Sequence, residues 1–174
     1  MKKILLAAAF VLTLGSASAQ VSEIVKGKPR FSVGLEAGLP TGDAAEGFGV
    51  FLGGSAKVEV PLSGSLYGTG SAGFVNLSYE KDVKDAIDDL PKQNFIPVKV
   101  GAKYFFTQNI YGAGELGAVF GTAEGAGTAF AWTPGIGLSY PVSDKNNIDF
   151  DIRYESWAND GSLNQIGFRI ALKF

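Results

Sequence analysis

The chemistry open to this chain rests on twelve charged residues set among apolar ones. The acids are Glu36, Glu59, Glu115, Asp149, Asp151 and Glu155; the bases are Lys57, Lys99, Lys103, Arg153, Arg169 and Lys173. The run Ile148-Asp149-Phe150-Asp151-Ile152-Arg153-Tyr154 shows the pattern, with every second residue large and apolar. In an extended strand that spacing sends all the charges to one side. Six acids can neutralise six bases. A balanced set drawn into one interior favours a network of ion pairs and water, because an isolated buried charge is costly. A selective ion path would carry an excess of one sign.

Other chemistry is thin. The chain has no His and no Cys. That removes imidazole acid–base work, Ser-His-Asp triads, thiol nucleophiles and the commonest metal ligands. A carboxylate pair such as Asp149 and Asp151 could in principle hydrolyse a glycoside, but basic neighbours make ion pairing their expected role. Val83, Ile87 and Leu90 recur at helical spacing before Pro91, so Glu80 to Leu90 is a candidate short helix with Asp85, Asp88 and Asp89 on one face. Three carboxylates without an EF-hand loop do not define a calcium site. The expectation is no enzyme activity, no metal and no cofactor.

The elements that must position the charges are strands. Ile166, Phe168, Ile170, Leu172 and Phe174 share one parity at the end of the chain, against Gln165, Gly167, Arg169, Ala171 and Lys173. Seven further alternating segments precede it: Phe31–Leu39, Phe48–Val60, Ser65–Tyr79, Phe95–Phe106, Ile110–Phe120, Thr128–Tyr140 and Ile148–Trp157. In the third, Tyr67, Val75, Leu77 and Tyr79 are read as outward. The connections Pro61–Gly64, Thr107–Asn109 and Pro141–Asn147 are short and rich in turn residues. Those at Pro40–Gly47, Glu80–Asn94, Gly121–Gly127 and Ala158–Ser162 are mostly longer and more polar. They hold nine acids (Asp43, Glu46, Glu80, Asp82, Asp85, Asp88, Asp89, Glu124, Asp160) against Lys81, Lys84 and Lys92, so the rim on that side is expected to be acidic.

Aromatics sort to the two ends of the segments. Phe31, Tyr67, Tyr104, Phe106, Tyr140 and Phe174 fall at the turn ends. Phe48, Tyr79, Phe120, Phe130, Trp132, Tyr154 and Trp157 fall at the loop ends. Two such girdles are what amphipathic rings form at two membrane interfaces. Pro97 and Pro134 lie inside strands, where each removes a ladder donor; bulges or strand ends are expected there.

The first residues carry an export signal. Lys2 and Lys3 precede an apolar stretch, Ile4 to Leu14, too short to span a bilayer as a helix. Ala17-Ser18-Ala19 supplies small residues for cleavage before Gln20. The expected organisation is a signal peptide over residues 1–19, a periplasmic leader over 20–30 and one domain over 31–174. The precursor carries a net charge of −2, and nothing in it suggests nucleic-acid binding. Together these features predict an all-β protein: an eight-stranded, antiparallel, up-and-down transmembrane β-barrel. A barrel of that size is just wide enough for its side chains to fill.

The Ala17-Ser18-Ala19-Gln20 junction, the strand pairs and the Ile166–Phe174 ending resemble the small outer-membrane β-barrel family, the OmpA/OmpX-like and porin-like barrels. The junction is similar in style to those of Bacteroidota proteins. The resemblance implies a Gram-negative outer membrane, contact with its lipid and lipopolysaccharide, and insertion by the barrel-assembly machinery. That machinery would read the terminal strand, with Phe168, Ile170, Leu172 and Phe174 as the assembly signal. A monomer is expected. Three roles stand open: a structural or surface-interaction barrel with a charge-plugged lumen, a narrow porin-like channel, and a soluble periplasmic lipid-binding barrel.

Overall fold

Alternating apolar and polar residues can bury neither face of a lone sheet, and closing the sheet on itself removes both exposed edges. The computed structural model describes residues 27–42, 44–79, 93–123, 125–159 and 161–174. The expected export signal, the candidate short helix over Glu80 to Leu90 and most of the acidic loop residues lie outside these. Among the described residues eight strands form one closed barrel: β1 (Arg30–Thr41), β2 (Phe48–Ser63), β3 (Leu66–Tyr79), β4 (Gln93–Phe105), β5 (Ile110–Gly121), β6 (Thr128–Pro141), β7 (Asn147–Asn159) and β8 (Gly161–Lys173). Each strand pairs antiparallel with the next, and β8 returns to β1 through pairs such as Glu36↔Arg169 and Ser32↔Lys173. The predicted eight-stranded up-and-down barrel is the observed fold. One helical turn, α1 (Ala44–Gly47), lies between β1 and β2.

The turns follow local chemistry. Gly64 has φ +49°, a region that L side chains rarely adopt, and it closes the β2–β3 hairpin together with Ser65. Strand β2 runs to Ser63, so this turn is tighter than Pro61–Gly64. At β4–β5 the Thr107 hydroxyl oxygen accepts from the Asn109 and Ile110 amides at 3.3 and 3.0 Å. At β6–β7 the Ser143 hydroxyl oxygen accepts from the Asn146 amide at 3.1 Å. On the opposite side, the β7–β8 ladder reaches Asn159↔Gly161. That connection is therefore shorter than the expected Ala158–Ser162 loop.

The outer surface is apolar around the barrel. Leu35 is 71% exposed, Ile136 60% and Phe106 65%, with Val33, Leu52, Leu116, Leu138, Phe150, Phe168, Ile170 and Leu172 in the same belt. Water-soluble monomers do not carry an apolar band of this extent; a strand barrel in lipid does.

Strand β3 faces the other way from its sequence reading. Val75 and Leu77 are buried inside the barrel, while Phe74 is exposed on the outer surface. Tyr67 packs edge-on against Phe105 at one end of the interior, and Tyr79 stacks against Phe48 at the other. Trp157 and Phe48 also belong to the interior rather than to the loop-end girdle. Two features misled the alternation. The outward parity of β3 holds Gly68, Gly70 and Ala72, small residues that look like a lumen lining. Its inward parity is apolar because one end of the lumen is apolar. The irregularity between Phe48 and Phe51 on β2 also breaks the parity of the neighbouring strand.

The prolines resolve differently from the expectation. Around Pro97 the β3–β4 pairing passes from Ala72↔Val98 to Val75↔Phe95 without changing register. Around Pro134 the β6–β7 pairing passes from Trp132↔Ser156 to Gly135↔Arg153 in the same way. The ladder opens for two residues at each site, without a bulge, because the ring leaves no N–H to donate.

Candidate functional site

The lumen is the candidate site, and the alternation of β1, β2 and β4–β8 builds it. All twelve charged residues named from the sequence project into it, and every one lies in an ion pair. They form two groups, beneath an apolar third.

At the turn end, two ammonium groups alternate with two carboxylates. Lys103 Nζ lies 2.7 Å from Glu59 Oε1 and 2.8 Å from Asp149 Oδ2. Lys173 Nζ lies 3.0 Å from Asp149 Oδ1 and 3.6 Å from Glu59 Oε2. The Ser139 hydroxyl donates to Asp149 Oδ1 at 2.6 Å and accepts from Lys173 Nζ at 2.8 Å. Lys103 Nζ also sits 3.7 Å from the centre of the Tyr111 ring, whose face attracts a cation. The Tyr111 ring end lies against Gly137, where a Cβ would collide with its Cζ and hydroxyl. Only glycine admits the ring there.

In the middle of the barrel one guanidinium serves three acids. Arg153 Nη2 reaches Glu36 Oε2 at 2.6 Å, Nη1 reaches Asp151 Oδ1 at 3.0 Å, and Nε reaches Glu155 Oε2 at 3.2 Å. Glu155 Oε1 takes two more donors, Lys99 Nζ at 3.0 Å and Trp157 Nε1 at 2.7 Å. Arg169 Nε lies 3.6 Å from Glu36 Oε1 and donates to the Ser55 hydroxyl at 2.9 Å; its Nη2 donates to the Ser32 hydroxyl at 3.1 Å. Lys57 Nζ approaches Glu115 Oε1 to 2.9 Å but off the hydrogen-bonding angle, so this contact is coulombic. Glu115 Oε2 accepts from the Ser71 hydroxyl at 3.2 Å.

At the loop end the lumen turns apolar. Phe51, Val75, Leu77, Val119, Ala131 and Trp157 are buried together, with the Phe51 and Trp157 rings 5.2 Å apart and edge-on. Charge counting missed these residues, and it missed the neutral partners Ser32, Ser55, Ser71, Ser139 and Tyr111. A usable signal was present for Trp157, which shares the parity of Glu155 and Arg153. Phe168, Ile170, Leu172 and Phe174, expected from the sequence to form an assembly signal, all lie exposed on the outer face of β8 and just beyond its end.

This arrangement binds charge to charge. Buried ions are tolerable only when paired and hydrogen-bonded, and here the pairing is complete for the twelve.

Comparison with known proteins agrees with the geometry. No curated protein matches the chain by sequence. Among solved structures it is similar to Ail, the attachment invasion locus protein of Yersinia pestis, at 16% identity and a TM-score of 0.56, covering 86% of this chain and 100% of that one. It is similar to the Neisserial surface protein NspA at 12% identity and a TM-score of 0.58, covering 83% and 95%. The outer membrane protein AlkL aligns at 14% identity and a TM-score of 0.56, covering 86% and 90%. These likenesses are of fold. Residues 6–174 match the family described as outer membrane protein beta-barrel domain. The chain therefore belongs to the outer-membrane β-barrel protein family, and its place is the outer membrane.

Proposed function

We propose that the protein is a structural or surface-interaction barrel with a charge-plugged lumen, non-enzymatic and monomeric, in a Gram-negative outer membrane. The observation that carries this reading is the pairing of all twelve inward charges, six of each sign. A pore selective for one sign of ion would leave that sign in excess. The apolar cluster at the loop end adds a second obstacle, since a dewetted constriction resists ions. The signal over residues 1–19 is cleaved on export. The barrel-assembly machinery inserts the chain by way of Phe168, Ile170, Leu172 and Phe174, and the finished belt contacts lipid and lipopolysaccharide.

For the surface half of the reading, Ail is named for attachment and has been solved with the heparin analogue sucrose octasulfate. The loops of this chain are rich in acids, so a cationic partner fits them better than a polyanion. The porin-like reading is tested by conductance in planar bilayers. The expected record has no discrete steps. Reproducible single-channel steps abolished by charge changes at Lys99 or Arg153 would establish a channel and overturn the plug. The soluble reading is disfavoured by the apolar outer belt.

A further inference from the structure

The apolar cluster does not fill the barrel up to its loop-side rim. Above it lies a cavity of about 320 Å³. Its floor and walls are Phe95, Val119, Ala129, Trp157 and Leu163, drawn from β4 to β8. Three of these, Phe95, Ala129 and Leu163, are only partly buried although they pack on the cluster. The Trp157 indole is held in place from below, because its Nε1 donates to Glu155 at 2.7 Å. Among the described residues, two neutral hydrogen-bonding side chains, Asn159 and Ser162, stand at one side of the rim. The Asn159 amide fills the space that a side chain at Gly127 would need.

Such a bowl has no use for water on its floor. Apolar walls offer water no partners, and several molecules trapped there would forgo hydrogen bonds. A concave apolar site with a few polar groups at one end is the form of a small-molecule site. We propose that this outer-mouth cavity binds a small uncharged amphiphile, a compact apolar body such as a single substituted ring carrying a hydroxyl. The body would lie on the partly buried Phe95 ring and touch the small exposed part of Trp157, 4% of its surface. The hydroxyl would face Asn159 and Ser162, whose neutral groups match an uncharged head. The site is separate from the ion-paired layers below, and the proposal stands whether or not the lumen conducts.

Trp157 reports on it directly. The chain has two tryptophans, and Trp132 lies on the outer surface. In a Trp132→Phe variant in lipid nanodiscs, para-bromobenzyl alcohol should quench Trp157 along a saturating curve, since bromine quenches indole on contact. The Trp157→Phe protein, with Trp132 alone, should show the linear quenching of a probe dissolving in lipid. Two filling variants close the argument. Ala129→Phe occupies the floor. Gly161→Leu occupies the rim, where an added Cβ meets nothing nearer than the Asn159 carbonyl oxygen at 3.8 Å. Heat-modifiable gel mobility shows which variants are folded, and either folded variant should raise half-saturation by at least about tenfold, a loss of one binding decade. Linear quenching of Trp157 overturns the proposal. So does saturation that no folded filling variant weakens.

Discussion

Arg153 is the residue whose removal should cost the barrel most clearly. Arg153→Met keeps the aliphatic stem and its packing but takes the cation from three carboxylates. Two of them retain another: Glu155 keeps Lys99 at 3.0 Å, and Glu36 keeps Arg169 at 3.6 Å. Asp151 keeps only the Tyr111 hydroxyl, at 3.4 Å, among the described residues. The loss is therefore close to that of one orphaned buried carboxylate. Breaking a buried pair from one side costs about 3–5 kcal/mol, which is roughly a hundred- to a few-thousand-fold in the folding equilibrium. Adding Asp151→Asn removes the orphan and should restore about half of that loss, because the neutral amide needs no cation. The assay is reversible urea unfolding in lipid vesicles, followed by heat-modifiable gel mobility. A shift for Arg153→Met smaller than about 1 kcal/mol would mean that the lumen is wet enough to screen these ions. Failure of Asp151→Asn to recover any stability would refute the assignment of the cost to that carboxylate.

Two further outcomes follow from the facing of the strands. Replacing Phe168 and Ile170 together with Asp places two charges in the outer belt of β8, at a cost on the order of 1–4 kcal/mol each; the double variant should fail to reach the heat-modifiable, membrane-inserted form, and normal insertion would contradict the outward facing of this strand. The chain has no native Cys, so single spin labels can read β3: a label on Phe74→Cys should be relaxed by lipid-dissolved oxygen and one on Leu77→Cys should be shielded, whereas the reverse would reinstate the sequence reading of that strand.

Much of this protein was legible without coordinates. The alternation along β1 and β4–β8 specified which side chains meet lipid and which meet each other, because a strand has a period of two and over most of these strands one parity is apolar and the other polar or small. The strand number and the six-to-six charge balance were equally readable. The facing of β3 was not, and neither was the inward turn of Phe48; that of Trp157 was legible in the parity it shares with Arg153 and Glu155. Alternation reports polarity, and polarity marks the inside only where the inside is polar. At the loop end of β3 the local signal points the wrong way, since Val75, Leu77 and Tyr79 alternate with polar Asn76 and Ser78 as a lipid face would; closure of the barrel against Phe51, Val119 and Trp157 decides the matter. Pairing is likewise a tertiary fact. Sequence supplied Arg153 and its candidate acids, but Glu36 lies 117 residues from it in the chain. Only the shear and closure of the strands bring the two to 2.6 Å.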